Sequence, residues 1–355
     1  MSKLKKITGH KLFLPIFCMF LVLLINVVYD IAQGNAFYDF FKISFTNDLL
    51  SGRLVNILNR GSEVAILAVG MTLVVSASAG TDISVGSVMA LCASVCCVIL
   101  AGPAAPQATE LAAPLIVGVL GAIVMGCICG AFNGAMVAYL NIQPMVATLI
   151  LWTAARAIGL LVCNNLIVKV DNATFGILGG YVGFFPTPII VAAVVIAVVA
   201  LVLKLTAMGT YIQSVGINKK ASRIAGLNSK QIIFMCYLIC GLCASIAGVV
   251  ASSRITSADA NNIGLNSELD AILAVALGGN SLGGGKFNLA GSVIGAYTIQ
   301  AITTTMYNMG VSSAVAPVFK AIVVIVIVAI QAPPVRAMFK KLGAKFAAKK
   351  EVSHV

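Results

Sequence analysis

Charge is what this sequence has least of. Only 10% of its 355 residues are Asp, Glu, Lys or Arg, against about 25% in soluble domains. Histidine is nearly missing too: the two present, His10 and His354, lie in the tails. With them go HExxH zinc chemistry and His-based acid–base catalysis, and no Ser-nucleophile motif or paired-carboxylate constellation stands in their place. The stretch Gly279–Lys286 looks like a phosphate-binding loop only faintly. Asn280 occupies the first glycine position and Phe287 the Ser/Thr position, and no strand pattern precedes it, so nucleotide binding is excluded. Ten cysteines are present, but none forms a zinc-ribbon pair. Cys240 and Cys243 have C-x-x-C spacing inside an apolar, helix-like run, where small packing residues are the simplest reading.

What the chain does have is apolar length. It is 60% hydrophobic with a mean hydropathy of +1.05, and no soluble core could hide that much surface, so lipid is the solvent for much of it. The pattern predicts an all-α, polytopic helical membrane bundle of about ten spans. These are Leu12–Val28, Ser62–Ala79, Ser84–Leu100, Pro114–Leu140, Met145–Val162, Pro188–Leu203, Ile232–Ser252, Glu268–Leu277, Leu289–Tyr307 and Val315–Ile330. The eighth is short enough for a half-helix, and a polar connection is expected up to Arg60. The first span follows a basic tail, as a signal peptide would, but no A-x-A site follows it and it is read as a span.

The net charge of +12 is distributed in a way that argues against nucleic acid. Lysines and arginines gather in the tails, in the loop after span six and after span eight, while Asp30, Asp39, Asp48, Glu110, Asp171 and Asp259 fall on the other side. The positive-inside rule then places both termini in the cytoplasm and favours an even span count. The expected layout is one transmembrane domain over 1–355, with basic cytoplasmic tails at 1–11 and 333–355 and a cytoplasmic loop at 209–231.

Two polar segments stand out. Within 209–231, Asn218 suits an N-cap, Lys219–Ala225 a short helix, Gly226 a C′ stop, and Asn228 or Ser229 the next cap. Ala79–Gly86 (AGTDISVG) puts Asp82 in or near the membrane, where a carboxylate is costly and a helix break is expected. A cap at the break and a substrate contact are both open for Asp82 and Ser84. Polar residues inside spans, Glu63, Asn133, Thr148, Arg156, Ser245 and Gln300, must find partners or water. The glycine-rich breaks at 79–86 and 278–285 could be matching irregular points.

At GTDISVG (80–86), NIQPMVATLI (141–150), VGINKKASRIAGL (215–227) and ELDAILAVALGGNSLGGG (268–285), the chain resembles permeases of bacterial ATP-binding-cassette sugar importers of the ribose/xylose/galactose type. VNILNR (55–60), SADANNIGLNSELDAILAV (257–275) and GGKFNL (284–289) make it most similar to galactofuranose-importer permeases. It departs at 79–83, where Ala-Gly-Thr-Asp-Ile stands for the family's usual Gly-Gly-Ile-Asp-Leu. The resemblance implies a multi-pass subunit of the bacterial inner membrane that carries a monosaccharide and binds no cofactor. Its implied partners are a second permease copy or paralogue, a periplasmic or lipoprotein sugar-binding protein, membrane lipid, and a cytoplasmic tandem-domain ATPase that uses the ATP. It also implies that the ATPase grips residues 216–226, with Gly216, Asn218, Ala221, Arg223, Ala225 and Gly226 as coupling residues. Asp82, Ser84, Asn133, Thr148, Arg156 and Asn280 are the candidate translocation path. An ion-coupled secondary transporter using Asp82 or Glu63 is the alternative.

Overall fold

The computed structural model describes residues 12–34, 38–46, 49–102, 106–285, 287–312, 315, 317–322 and 325. Both basic tails, Lys286 and half of the tenth expected span lie outside the described residues. The chain divides into a unit ending at Ala301 and a second from Ile302. The first holds α1 (Phe13–Ala32), α2 (Arg53–Ser78), α3 (Val85–Ala101), α4 (Leu115–Ala138), α5 (Pro144–Val162), the short α6 (Ala173–Gly176), α7 (Thr187–Leu205), α8 (Met208–Ile217), α9 (Lys219–Ile224), α10 (Ser229–Arg254) and α11 (Ser267–Leu277). The last helix, α12 (Leu289–Asn308), runs across the boundary into the second unit, whose other described helical residues are 317–322 and 325.

Among the described residues, six helices are long and apolar enough to cross a bilayer: α1, α2, α4, α5, α7 and α10. α3 is apolar but has 17 residues, about 25 Å. α11 has 11, about 16 Å, half the ~30 Å hydrocarbon core.

α2 is almost entirely buried, whereas α1, α4, α5 and α7 keep most of their surface exposed. α4 shows why. Ile116, Leu120, Val124 and Ile128 make an exposed stripe, one residue per turn, suited to lipid. Its opposite face, Gly118, Ala122, Gly126, Gly130 and Asn133, is buried. There Gly130 meets the Tyr237 carbonyl and Gly241 of α10 meets Gly126. Side chains at these points would force the two backbones apart. α10 packs on α4, α2 and α3, forming the centre with α2.

One end of this unit is knitted by short strands. β3 (Gln107–Ala108), β4 (Val168–Val170) and β7 (Ser257–Ala258) form a three-stranded sheet in that order. Two small hairpins, β1–β2 (44–46 with 49–51) and β5–β6 (181–182 with 185–186), meet through the Leu50 amide and the Phe184 carbonyl. The apolar spans do not announce these strands, because they are only two or three residues long. α2 begins at Arg53, nine residues before the expected Ser62. The polar residues that suggested a connection are paired instead: Arg53 with Asp30 of α1, and Asn59 with Arg254 of α10.

Candidate functional site: a helix break, a capped loop and a clamped segment

The 79–84 break between α2 and α3 is built around Asp82, which is buried. Its Oδ1 accepts from the Ser84 amide at 2.9 Å and the Ser84 hydroxyl at 2.6 Å. Asn133 of α4 donates to Ser84 Oγ at 2.8 Å and lies 3.4–3.5 Å from both carboxylate oxygens. Thr148 of α5 accepts from the Ile83 amide at 3.2 Å. Four of the six expected path residues therefore meet at one point. The carboxylate is met by dipoles from the break itself and from α4 rather than by a counter-charge. Ala79, with φ +56, turns the chain out of α2.

Arg156 and Asn280 sit elsewhere. Arg156 Nη1 donates to the Ala260 and Asn261 carbonyls at 2.7 Å each, and Nη2 to the Ile263 carbonyl at 3.3 Å. It clamps the segment between β7 and α11 onto α5. Asn280 folds the turn between α11 and α12. It donates to the Val275 carbonyl at 3.0 Å and to Ser292 Oγ at 2.8 Å, and accepts from the Asn288 amide at 2.7 Å.

Glu63 has its counter-charge: Arg254 Nη1 lies 2.9 Å from Glu63 Oε1. Sequence reasoning missed Arg254 because it falls at the last residue of α10, where a cation reads simply as a helix end.

The loop at 209–231 forms two short helices. Asn218 Oδ1 accepts from the Lys220 and Ala221 amides at 3.0 Å each, so α9 starts with a side-chain cap. It ends in a Schellman motif: Gly226 N–H donates to the Arg223 carbonyl and Leu227 N–H to the Ser222 carbonyl. Gly226 has φ +84, a conformation that glycine adopts without strain. Asn228 Oδ1 caps α10 through the Gln231 amide at 3.2 Å. Only Ser222 of α9 is buried; Ala221, Arg223, Ile224 and Ala225 face outward.

Gly216 belongs to the inner side. A Cβ there would collide with the Ser76 carbonyl at the end of α2 and with the Gly285 amide. Gly285 itself donates to that same Ser76 carbonyl at 3.1 Å, and Gly284 packs on Ala79. The two glycine-rich breaks thus meet, and α8 rests on both.

Taken together, these features define a multi-pass helical membrane subunit with broken helices and one protruding capped helix. A sequence profile described as "Branched-chain amino acid transport system / permease component" matches residues 53–330, and the chain belongs to that family. It is a permease subunit of an ATP-binding-cassette importer, not an enzyme. The chain is 41% identical over 293 residues to the galactofuranose transporter permease protein of Escherichia coli (strain K12), covering 82% of this chain and 83% of that protein. It is 34% identical over 358 residues to the fructose import permease protein of Bifidobacterium longum (strain NCC 2705), covering 99% and 96%. It is 35% identical to the ribose import permease protein of Escherichia coli (strain K12) over 280 residues, 78% and 84%. No solved structure is a significant match.

Proposed function

We propose that this subunit carries a monosaccharide inward across the bacterial inner membrane, with galactofuranose first and ribose or fructose next. The observation that carries the reading is the set of relatives named for these sugars, aligned over most of both chains at 34–41% identity. The family description names amino acids, but these relatives align along this chain itself. The path is poor in uncompensated charge, as a neutral polyol requires: Asp82 is met by hydroxyl and amide dipoles and Glu63 by Arg254.

In this reading the subunit pairs with a second permease copy or a paralogue, contacts lipid through its exposed stripes, and receives sugar from a separate binding protein. A tandem-domain ATPase supplies the energy by gripping α9 on the cytoplasmic side. Ile224, 89% exposed, and Ile217, 76% exposed, offer apolar anchors there. ATP-driven closure pushes α9 and α8. Gly216 passes the motion to the ends of α2 and α11, and so to the Asp82 break. Each state must hold the partners differently for this to work.

The test is uptake of labelled galactofuranose, ribose, fructose and leucine into proteoliposomes holding the full assembly. ATP-dependent uptake of a monosaccharide is the expected result. Uptake of leucine alone removes the sugar, and uptake driven by a proton gradient without the binding protein removes the importer reading.

A further inference from the structure

The apolar surface of this chain does not stop where its long helices do. Two hairpins, β1–β2 and β5–β6, lie between α1 and α2 and just before α7. They sit at the start of α2, the end away from Ser76 and its contact with Gly216 of α8. Tyr38, Phe41, Ile43, Phe45, Val182 and Phe184 are all exposed in these two short segments. Phe45 is 67% and Phe184 57% exposed, and their rings touch across the hairpins with centroids 6.2 Å apart. Exposed apolar surface of this extent marks a protein or membrane contact.

The backbone does not ask for these side chains. Gly183, with φ +60, supplies the left-handed residue that the two-residue turn of β5–β6 needs. Phe184 stands beside it at a hairpin tip, where polar residues are usual. The segment is nevertheless held in place. Phe40 is buried and meets Phe41 edge-on at 5.2 Å. The Leu50 amide donates to the Phe184 carbonyl at 3.0 Å, and Ser44 and Ser51 pair through their hydroxyls at 3.1 Å on the face of β1–β2 opposite Phe45.

Depth and continuity say what covers the patch. α1 has 20 residues and α7 has 19, about 30 Å each and so about one hydrocarbon thickness. The chain that follows α1 and precedes α7 therefore falls at headgroup level. The Arg53–Asp30 pair marks the same level, since ions are costly deeper in. Phe20, Leu24, Val28 and Ile31 form an exposed stripe on α1, and Ile190, Val194, Val198 and Leu201 one on α7. The aromatic patch continues these stripes rather than standing apart from them. Lys42, exposed between Phe41 and Ile43, can lay its stem on the patch and its ammonium on a phosphate.

We propose that the two hairpins are an interfacial anchor whose partner is the bilayer surface. Their aromatic side chains sit among the headgroups and upper acyl chains of the leaflet at the end of the bundle away from α9, as amphipathic interfacial segments do. The anchor holds the ends of α1, α2 and α7 at one depth while α8 is pushed from the other side.

The chain has a single tryptophan, so an indole can report depth. Phe184→Trp and Phe45→Trp are each made in a Trp152→Phe background, and the full-length permease is placed in liposomes of phosphatidylethanolamine and phosphatidylglycerol. Lipids brominated near the top of the acyl chains should cut the new emission about twofold, as for groups seated ~5–10 Å into the headgroup boundary. Lipids brominated near the chain ends should quench less, and aqueous acrylamide little. Strong acrylamide quenching with none from bromine would overturn the anchor. So would acrylamide access that closes only when sugar-loaded binding protein is added, which makes the patch a protein-docking face. Protection from both quenchers, as between two permease copies, overturns it too, and stronger quenching by the deep bromines places the hairpins inside the core. If Phe184→Trp does not assemble, Phe45→Trp decides. If the Trp152→Phe background does not, the same variants are read as differences from wild type.

Discussion

Glu63 and Arg254 join the two innermost helices near one end of the fold, and each keeps about a fifth of its side chain exposed. Arg254 also holds the Asn59 carbonyl at 2.8 Å, so its removal frees a carboxylate and a carbonyl together. Breaking a mostly buried pair leaves an uncompensated charge, which costs roughly 3 kcal/mol. Arg254→Met is therefore expected to lower the melting temperature of the detergent-purified protein clearly. Glu63→Gln combined with Arg254→Met should recover part of that loss, because no lone charge remains. Additive losses in the double variant would show that the pair is not coupled. Asp82 is a different case. Its carboxylate is held by Ser84 and Asn133, so Asp82→Asn keeps the shape of the break while exchanging one acceptor for a donor facing the Ser84 hydroxyl. Transport is expected to fall at least several-fold, the cost of one mismatched buried hydrogen bond, and insertion to stay normal. Full uptake with Asn at 82 would reduce the break to a passive cap.

At the scale of elements, most of the helices were legible because apolar runs of 17 residues or more have one physical outcome in lipid. Spans six, seven and nine begin and end within about three residues of α7, α10 and α12. The caps at Asn218, Gly226 and Asn228 were legible too, since N-cap and C′ positions depend on local chemistry alone. What the sequence hides is non-local. Nothing in Gly216 itself distinguishes it from the outward residues of α9, yet it faces Ser76. Arg156 and the Ala260, Asn261 and Ile263 carbonyls that hold it are more than a hundred residues apart, so no local pattern joins them. Different outcomes follow for the two sides of this loop. Ile224→Asp and Ala221→Trp alter the exposed face and should weaken co-purification of the ATPase. Gly216→Val should leave the ATPase bound, since α9 is untouched. It should abolish ATP turnover stimulated by sugar-loaded binding protein, because α8 no longer seats on the ends of α2 and α11. Loss of ATPase binding in Gly216→Val, or full binding in Ile224→Asp, would reverse the assignment of inner and outer faces.

For the whole molecule the open quantity is sidedness, and the half-helix is where a span count could slip. α11 alone covers about half the hydrocarbon core. But the segment leading to it starts at β7, in the same sheet as β3 and β4, which follow α3 and α5. The turn ending α11 lies against Gly216 and Ser76, at the opposite ends of α2 and α8. Residues 257–278 therefore run from one end of the unit to the other, half as irregular chain clamped by Arg156 and half as helix. Irregular backbone at that depth is tolerated because it is buried in protein and its carbonyls are met. Counting that segment as one crossing gives α1, α2, α3, α4, α5, α7, α10, α11 and α12, so a tenth span at Val315–Ile330 returns the chain to its starting side. The clustered lysines of 1–11 and 333–355 would then both face the cytoplasm. Reporter fusions at residues 10 and 345 should each give a cytoplasmic signal. A fusion at residue 260, beside β7, should report the opposite side, and one at residue 283 the cytoplasm. Opposite signals from 10 and 345 would mean an odd number of crossings, and like signals from 260 and 283 would mean that α11 dips into the bilayer and returns.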